Sequence, residues 1–432
     1  MRQYSIRGRT RIAGQIAVGG AKNAALPMLA AVCLNKGEIQ INNCPRITDI
    51  SLSIDILKHI GCRVEFIGNT LYVDASGINE INIPEKWVGK MRSSILFMGA
   101  MLGRAGQVNI ALPGGCKIGE RSIKYHLDGL KAMGATIRED EDKKTLHCTG
   151  ALKGTDIHLP TASVGATENL MLAGVLAKGT TIISNAAKEP EIVDLAQFLN
   201  GMGARVHGAG TSRISIEGVQ GLTSTTYHVM PDRIVAGTYL VAAAMTAGEI
   251  NLVNVRPHDL SPVTYRLASM GCEINQGASN ITVRGPRQLK ALPYLETGEH
   301  PGFPTDMQAQ FVAALSIAEG RSTVLENIFN SRDAHAAGLN LMGADITTHA
   351  VPVGENPQKL ATLFEIQGKP GLTGAIVEAN DLRGGAALIL AGIAADGETI
   401  VKDKEYVERG YEHIEKDLAS VGADIRLEVT SD

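Results

Sequence analysis

Six times along the chain an amphipathic stretch ends in Gly-Ala or Gly-Cys and runs directly into alternating apolar and polar residues. The glycines are Gly61, Gly134, Gly203, Gly271, Gly343 and Gly422. They recur roughly every 70 residues, and a fixed period of that kind belongs to a repeated structural unit. A second glycine precedes each of them: Gly37, Gly106, Gly179, Gly248, Gly320 and Gly397. Each opens a short run of period two, as in Gly37-Glu-Ile-Gln-Ile-Asn-Asn, which predicts a half-buried strand. Ahead of the second glycine lies an almost wholly apolar segment, as at 24–34, 239–247 and 386–395. A helix that is apolar all round is buried all round. Between the two glycines the pattern changes to that of an outer helix, as in Ile192, Leu195, Leu199 and Met202. Residues 63–73 read as two strands joined by a Gly-Asn turn.

Each unit is therefore expected as buried helix, strand, outer helix, strands. Six units are too many for one core, so the expected architecture is α/β with three units in each of two domains. The first spans 20–230 and the second combines 1–19 with 231–432, with the active site expected in the cleft between them. The absence of a low-complexity linker predicts a short join and a hinge.

Composition narrows the function. With 44% hydrophobic and 20% charged residues the chain is an ordinary globular one. A net charge of −4 and 4% aromatics argue against nucleic acid or a membrane surface as partner. The start of the chain, MRQYSIRGRT, lacks the apolar stretch of a signal peptide, and the longest apolar runs fall short of a membrane span. The six cysteines show no metal spacing, and reduced thiols in a cytoplasmic protein are expected.

The charges are unusual in where they fall. A helix N-terminus favours acids, yet the buried segments begin at Lys22, Arg92, Arg233 and Arg383, or at Ser163-Val164 and Thr305-Asp306. Three outer helices open on Asp49, Glu191 and Asp259, the other three on Arg121, Arg332 and Arg409. One such arginine is ordinarily a solvated or paired side chain. Seven cations at equivalent places predict a site for phosphates or carboxylates.

Three peptides carry candidate chemistry. In Leu112-Pro-Gly-Gly-Cys116-Lys-Ile-Gly-Glu-Arg121 a cysteine sits among glycines and cations, a setting that tunes a thiol for acid–base or nucleophilic work. The other five cysteines fit the inert, small-hydrophobe reading. In His300-Pro-Gly-Phe-Pro-Thr-Asp306, the acid is equally readable as a helix-end residue or a functional one. In Gly19-Gly-Ala-Lys22-Asn23, a polar pair enters an apolar run.

With GGAKNAALP, KMRSSI, LPGGCKIGER, SVGAT, PDRI, FPTDMQAQF, DLRGG and ERGYE in order, the chain resembles the UDP-N-acetylglucosamine 1-carboxyvinyltransferases of bacterial cell-wall synthesis. The resemblance runs nearly end to end. It implies the enolpyruvyl transferase fold, a two-domain inside-out α/β barrel. It also implies transfer of the enolpyruvyl group of phosphoenolpyruvate to the sugar 3-hydroxyl, through a tetrahedral ketal with release of phosphate, and no cofactor or metal. Both substrates are small molecules. By resemblance Lys22, Asn23, Arg121 and Arg409 hold phosphoenolpyruvate, and Lys22 and Arg409 also act in catalysis. Cys116 protonates C3, can form a covalent pyruvate adduct and is the target of fosfomycin. Asp306 is the general base. Arg92, Arg121, Ser122, Ile123, Lys124, Tyr125, Ser163, Val164, Asp306 and Ile328 match contacts to UDP-N-acetylglucosamine; Arg332 and Arg383 match cleft residues without a defined role. The chain departs from some relatives at Thr161-Ala162 and Thr48, where they carry lysine. Weighed against this are an enolpyruvylshikimate-phosphate synthase, which lacks the cysteine loop, a non-catalytic sugar-nucleotide sensor, and an RNA-processing cyclase.

Overall fold

The computed structural model describes residues 2–114, 122–140, 142, 144–353 and 356–429, with backbone alone at 356–359. The described strands form six four-stranded sheets. Each sheet has the same plan: an edge strand runs parallel to its neighbour, and two antiparallel strands follow. In one, Thr180–Ser184 pairs parallel with Asp156–His158 and antiparallel with Arg213–Glu217, which carries Arg205–His207 at the far edge. The predicted α/β repeat is thus the observed one.

The recurring Gly-Ala has a specific cause. Each outer helix ends in the same six-to-one hydrogen bond: Cys62, Ala135, Ala204, Cys272, Ala344 and Ala423 return their N–H to the carbonyls of Leu57, Leu130, Leu199, Leu267, Leu339 and Leu418. This closure requires the intervening residue to be left-handed. All six glycines have positive φ, between 91° at Gly343 and 110° at Gly61. The residue that follows must be small because it packs inward: Cys62 is 6% exposed and Ala135 7%.

The chain divides into two compact units, one of Gly20–Cys116 with Arg121–Met230, the other containing Met1–Gly19 and Pro231–Asp432. Each has its own core. In the first, the buried helices are Lys22–Ala31, Leu96–Ala105 and Val164–Val175. In the second they are Arg233–Met245, Gln308–Leu315 and Leu382–Ala394. The last is enclosed from Leu382 to Ile393, matching its apolar sequence.

The second unit is completed by the start of the chain. Arg2–Arg7 lies antiparallel between Glu398–Asp403 and Asp424–Val429, in the slot that a hairpin strand fills in the other sheets. Ala13–Ala17 then runs parallel to Glu249–Val253 as the edge strand of another sheet. In the first unit the equivalent edge is Thr225–His228, which pairs with Glu38–Asn42.

Candidate active site

In the first unit the Gly-Gly-Ala-Lys turn feeds the helix Lys22–Ala31. A Cβ on Gly20 would stand 1.7 Å from the carbonyl oxygen of Asn43, so only glycine lets the turn approach so closely. Lys22 is the first helical residue and nearly enclosed; its Nζ meets Asp49 Oδ2 at 2.8 Å. Asp49 is 2% exposed and belongs to the first turn of the outer helix Thr48–His59. The acid that suits one helix start thus neutralises the cation that opposes another. Asn23 follows Lys22, half-buried.

Arg92 opens the 3-10 turn Arg92–Ile95, and its Nη2 donates to the carbonyl of Ser122 at 3.1 Å. The Ser122 hydroxyl accepts from the N–H of Lys124 at 3.0 Å, where the outer helix Lys124–Ala132 begins. Lys124 is exposed and pairs with Asp128 one turn on. Ile123 and Tyr125 are partly buried against the core. Ser163 caps the helix Val164–Val175 by accepting from the N–H of Ala166 at 3.3 Å.

His126 escaped the sequence reading. Its Nδ1 faces Asn169 Nδ2 at 3.0 Å, and the amide orientation is fixed because Asn169 Oδ1 accepts from Gly99 N–H at 2.8 Å. Nδ1 is therefore the acceptor, and the neutral ring carries its proton on Nε2. Burial, and then the charge of Arg92, push this histidine down to about 3.

In the second unit Asp306 lies in the turn Thr305–Met307 that leads into Gln308–Leu315. Its Oδ1 meets Arg332 Nη2 at 3.0 Å and its Oδ2 meets Arg383 Nη2 at 3.1 Å. Both arginines are buried, whereas 26% of the Asp306 side chain reaches solvent. Burial by itself raises the carboxyl, but Arg383 and Arg332 more than reverse this and hold it well below the usual carboxylate range. Arg383 projects from the helix Leu382–Ala394, whose cap Asp381 accepts from the N–H groups of Arg383 and Gly384. Its guanidinium stands 5.4 Å from the centre of the Tyr411 ring. The Tyr411 hydroxyl is 2.8 Å from Thr238 Oγ1, and Gln310 Nε2 donates to that threonine at 3.0 Å and to the Asp306 carbonyl at 3.0 Å. Ile328 is 39% exposed, and its N–H donates to Glu326.

One expectation needs correction. Arg409 does not open an outer helix: it ends the 3-10 turn Val407–Arg409, while the helix begins at Ile414. The Asp403 carboxylate accepts from the N–H groups of Tyr406 and Val407, which nucleates that separate turn. Of the seven cations, Lys22, Arg332 and Arg383 are paired with acids of their own unit. Cys116 and Arg121 lie outside the described residues. No group of three or more potential metal ligands occurs among the described residues.

The sequence profile of the EPSP synthase (3-phosphoshikimate 1-carboxyvinyltransferase) family matches residues 6–418. A protein of Caldanaerobacter subterraneus subsp. tengcongensis called UDP-N-acetylglucosamine 1-carboxyvinyltransferase 2 is 48% identical over 98% of this chain and 99% of its own. The chain belongs to the EPSP synthase family, in its UDP-N-acetylglucosamine 1-carboxyvinyltransferase branch. A second relative in this branch, UDP-N-acetylglucosamine 1-carboxyvinyltransferase 1 of Symbiobacterium thermophilum, is 46% identical over 98% of the chain and 94% of its own length. Among solved structures, the enolpyruvyl transferase NikO from Streptomyces tendae superposes with a TM-score of 0.87 at 25% identity, covering 100% of this chain and 99% of its own. EPSP synthase from Acinetobacter baumannii gives 0.72 at 20% identity, over 99% of this chain and 100% of its own, a likeness of fold. The enolpyruvyl transferase fold inferred from the motifs is thus the observed one. Among the described residues no helix is long and apolar enough to cross a membrane.

Proposed function

We propose that the protein transfers the enolpyruvyl group of phosphoenolpyruvate to the 3-hydroxyl of UDP-N-acetylglucosamine, releasing phosphate, as the first committed step of peptidoglycan precursor synthesis in the cytoplasm. The observation that carries this reading is the similarity, over nearly the full length, to proteins bearing that name, with LPGGCKIGER intact in the sequence. In the proposed chemistry Cys116 protonates C3 of the donor while Lys22, Asn23, Arg121 and Arg409 bind its carboxylate and phosphate. Asp306 takes the proton of the attacking hydroxyl. Arg92, Ser122–Tyr125, Ser163, Val164 and Ile328 bind the sugar nucleotide.

The pairings fit these roles. Asp49 holds the Lys22 ammonium in one place, which suits preorganised binding of an anion. Before substrate binds, the two arginines hold Asp306 well below the usual carboxylate range and fix both of its oxygens. A carboxylate so stabilised accepts a proton reluctantly, so anionic substrate that draws charge from Arg332 or Arg383 would strengthen it as a base.

The test is phosphate release from phosphoenolpyruvate with UDP-N-acetylglucosamine, with shikimate 3-phosphate, and with neither. Release with the sugar nucleotide alone is expected. Release only with shikimate 3-phosphate would replace this reading by the acceptor in the family's own description.

A further inference from the structure

The proposed chemistry makes no use of Glu326, although it is 0% exposed at the end of the strand Arg321–Glu326. A buried carboxylate persists only if donors replace its water. Here Oε1 accepts from the Thr297 hydroxyl at 3.0 Å and from the N–H groups of Ile328 and Phe329 at 2.8 and 3.0 Å. Oε2 accepts from the Thr305 hydroxyl at 2.8 Å. That hydroxyl in turn accepts from Arg332 Nη1 at 2.9 Å. Arginine can only donate, so the direction of this chain is fixed: Arg332 to Thr305, Thr305 to Glu326. The same guanidinium donates through Nη2 to Asp306 at 3.0 Å. One arginine therefore bridges two carboxylates, one directly and one through a threonine. Glu326 also fastens the turn carrying Phe329, whose ring centre lies 5.4 Å from the Arg332 guanidinium.

We propose that Glu326 is a positioning residue for enolpyruvyl transfer: acting through Thr305, it sets where Arg332 stands against Asp306 and how much of its charge Asp306 feels. The inference rests on Asp306 being the base. Arg332 and Arg383 face Asp306, and Arg332 faces Glu326. Asp232 faces Arg383, while His335, beside Asp381, also feels Arg332. If the Glu326 charge is removed, the field of Arg332 falls more fully on Asp306. The aspartate then becomes more acidic and a weaker base. The acid limb of kcat, which reports the substrate complex in which substrate anions have drawn charge from the arginines and raised Asp306, moves to lower pH.

Four variants decide the matter: Glu326→Gln, Thr305→Val, Thr305→Ser and Asp306→Ala, each assayed for kcat, KM and the pH profile. Glu326→Gln should lower kcat on the order of 10-fold, a part of what a general base contributes, with KM little changed and the acid limb displaced downward. Thr305→Val should lower kcat in the same direction, and Thr305→Ser, which keeps the hydroxyl, should restore it. A role in folding alone would not shift the pH profile or separate valine from serine. If Glu326→Gln does not fold, the two threonine variants decide alone, and equal kcat in both overturns the proposal. A parental kcat and acid limb in folded Glu326→Gln overturns it as well. In either case an inactive Asp306→Ala leaves the base assignment standing, whereas an active one removes that assignment together with the proposal.

Discussion

Lys22 and Asp306 are both held by buried ion pairs, but the two pairs have opposite polarity. In the first unit one carboxylate, Asp49, fixes one ammonium, and the charges cancel. In the second, two guanidinium groups close directly on one carboxylate, Asp306, while a second carboxylate, Glu326, reaches Arg332 only through Thr305. A balanced pair fixes a direction; an unbalanced one also sets a potential. The functional group is therefore presented differently in the two places: a lysine held by one acid, and an aspartate kept ionised by cations that an anion could share.

The largest expected effect lies on the unbalanced side. Asp306→Ala should cut turnover by about 10²–10⁴, the range for general acid–base catalysis, with sugar-nucleotide binding roughly intact by calorimetry. Near-parental turnover would reduce Asp306 to a partner for two arginines and dissolve the functional contrast.

Lys22→Met tests the balanced side. It leaves the enclosed Asp49 without its ammonium, and removing one partner of a buried pair destabilises by about 3–5 kcal/mol. Adding Asp49→Leu should recover most of the urea midpoint but none of the activity. Joint recovery would show that the lysine serves the fold alone.

A third, smaller contrast is between the units' buried histidines. His126 has an amide partner and His335 has no hydrogen-bond partner among the described residues. Burial lowers His335 to about 4, with Arg332 adding to the effect and Asp381 opposing it, and burial lowers His126 to about 3. Both values lie below the ordinary 6.5, so the unfolded chain binds protons first. Each neutral ring thus contributes stability that is complete above pH 6.5 and declines as pH falls towards the folded value. His335→Leu should flatten that decline between pH 6.5 and 4. An unchanged slope of urea stability against pH over that range would count against the assignment.

The smallest effect is expected at Lys124, an exposed residue of the proposed nucleotide set. Lys124→Met should leave the melting temperature unchanged, raise KM for the sugar nucleotide and spare kcat, as loss of uniform binding does. Unaltered KM would strike it from that set.

These contrasts were only partly legible in the sequence. The six Gly-Ala or Gly-Cys signals were plain because a left-handed helix end and a small residue after it are local requirements, met within one turn of chain. The cations at helix starts were plain for the same reason: they break a local electrostatic preference. Their partners were not. Asp306 finds Arg332 and Arg383 across three separate segments, and nothing in the spacing of FPTDMQAQF says which cations will reach it. Glu326 reads as the last residue of an ordinary strand, and His126 as one polar residue of an outer helix. Their importance lies in enclosure, which only the packed chain provides.

The placement of Arg2–Arg7 and Ala13–Ala17 has a consequence for the order of assembly during synthesis. The first unit is drawn from the interval between Gly20 and Met230, so its strands are available to one another once that interval has emerged. The second cannot finish its sheets until Asp424–Val429 reaches a strand translated before the whole of the first unit. At roughly 5–20 residues per second the wait lasts on the order of tens of seconds. Until Glu398–Asp403 emerges, Arg2–Arg7 has neither of its sheet neighbours, an unpaired strand open to mispairing. A chaperone that shields Arg2–Arg7 over that interval would keep its backbone from pairing with the wrong strand.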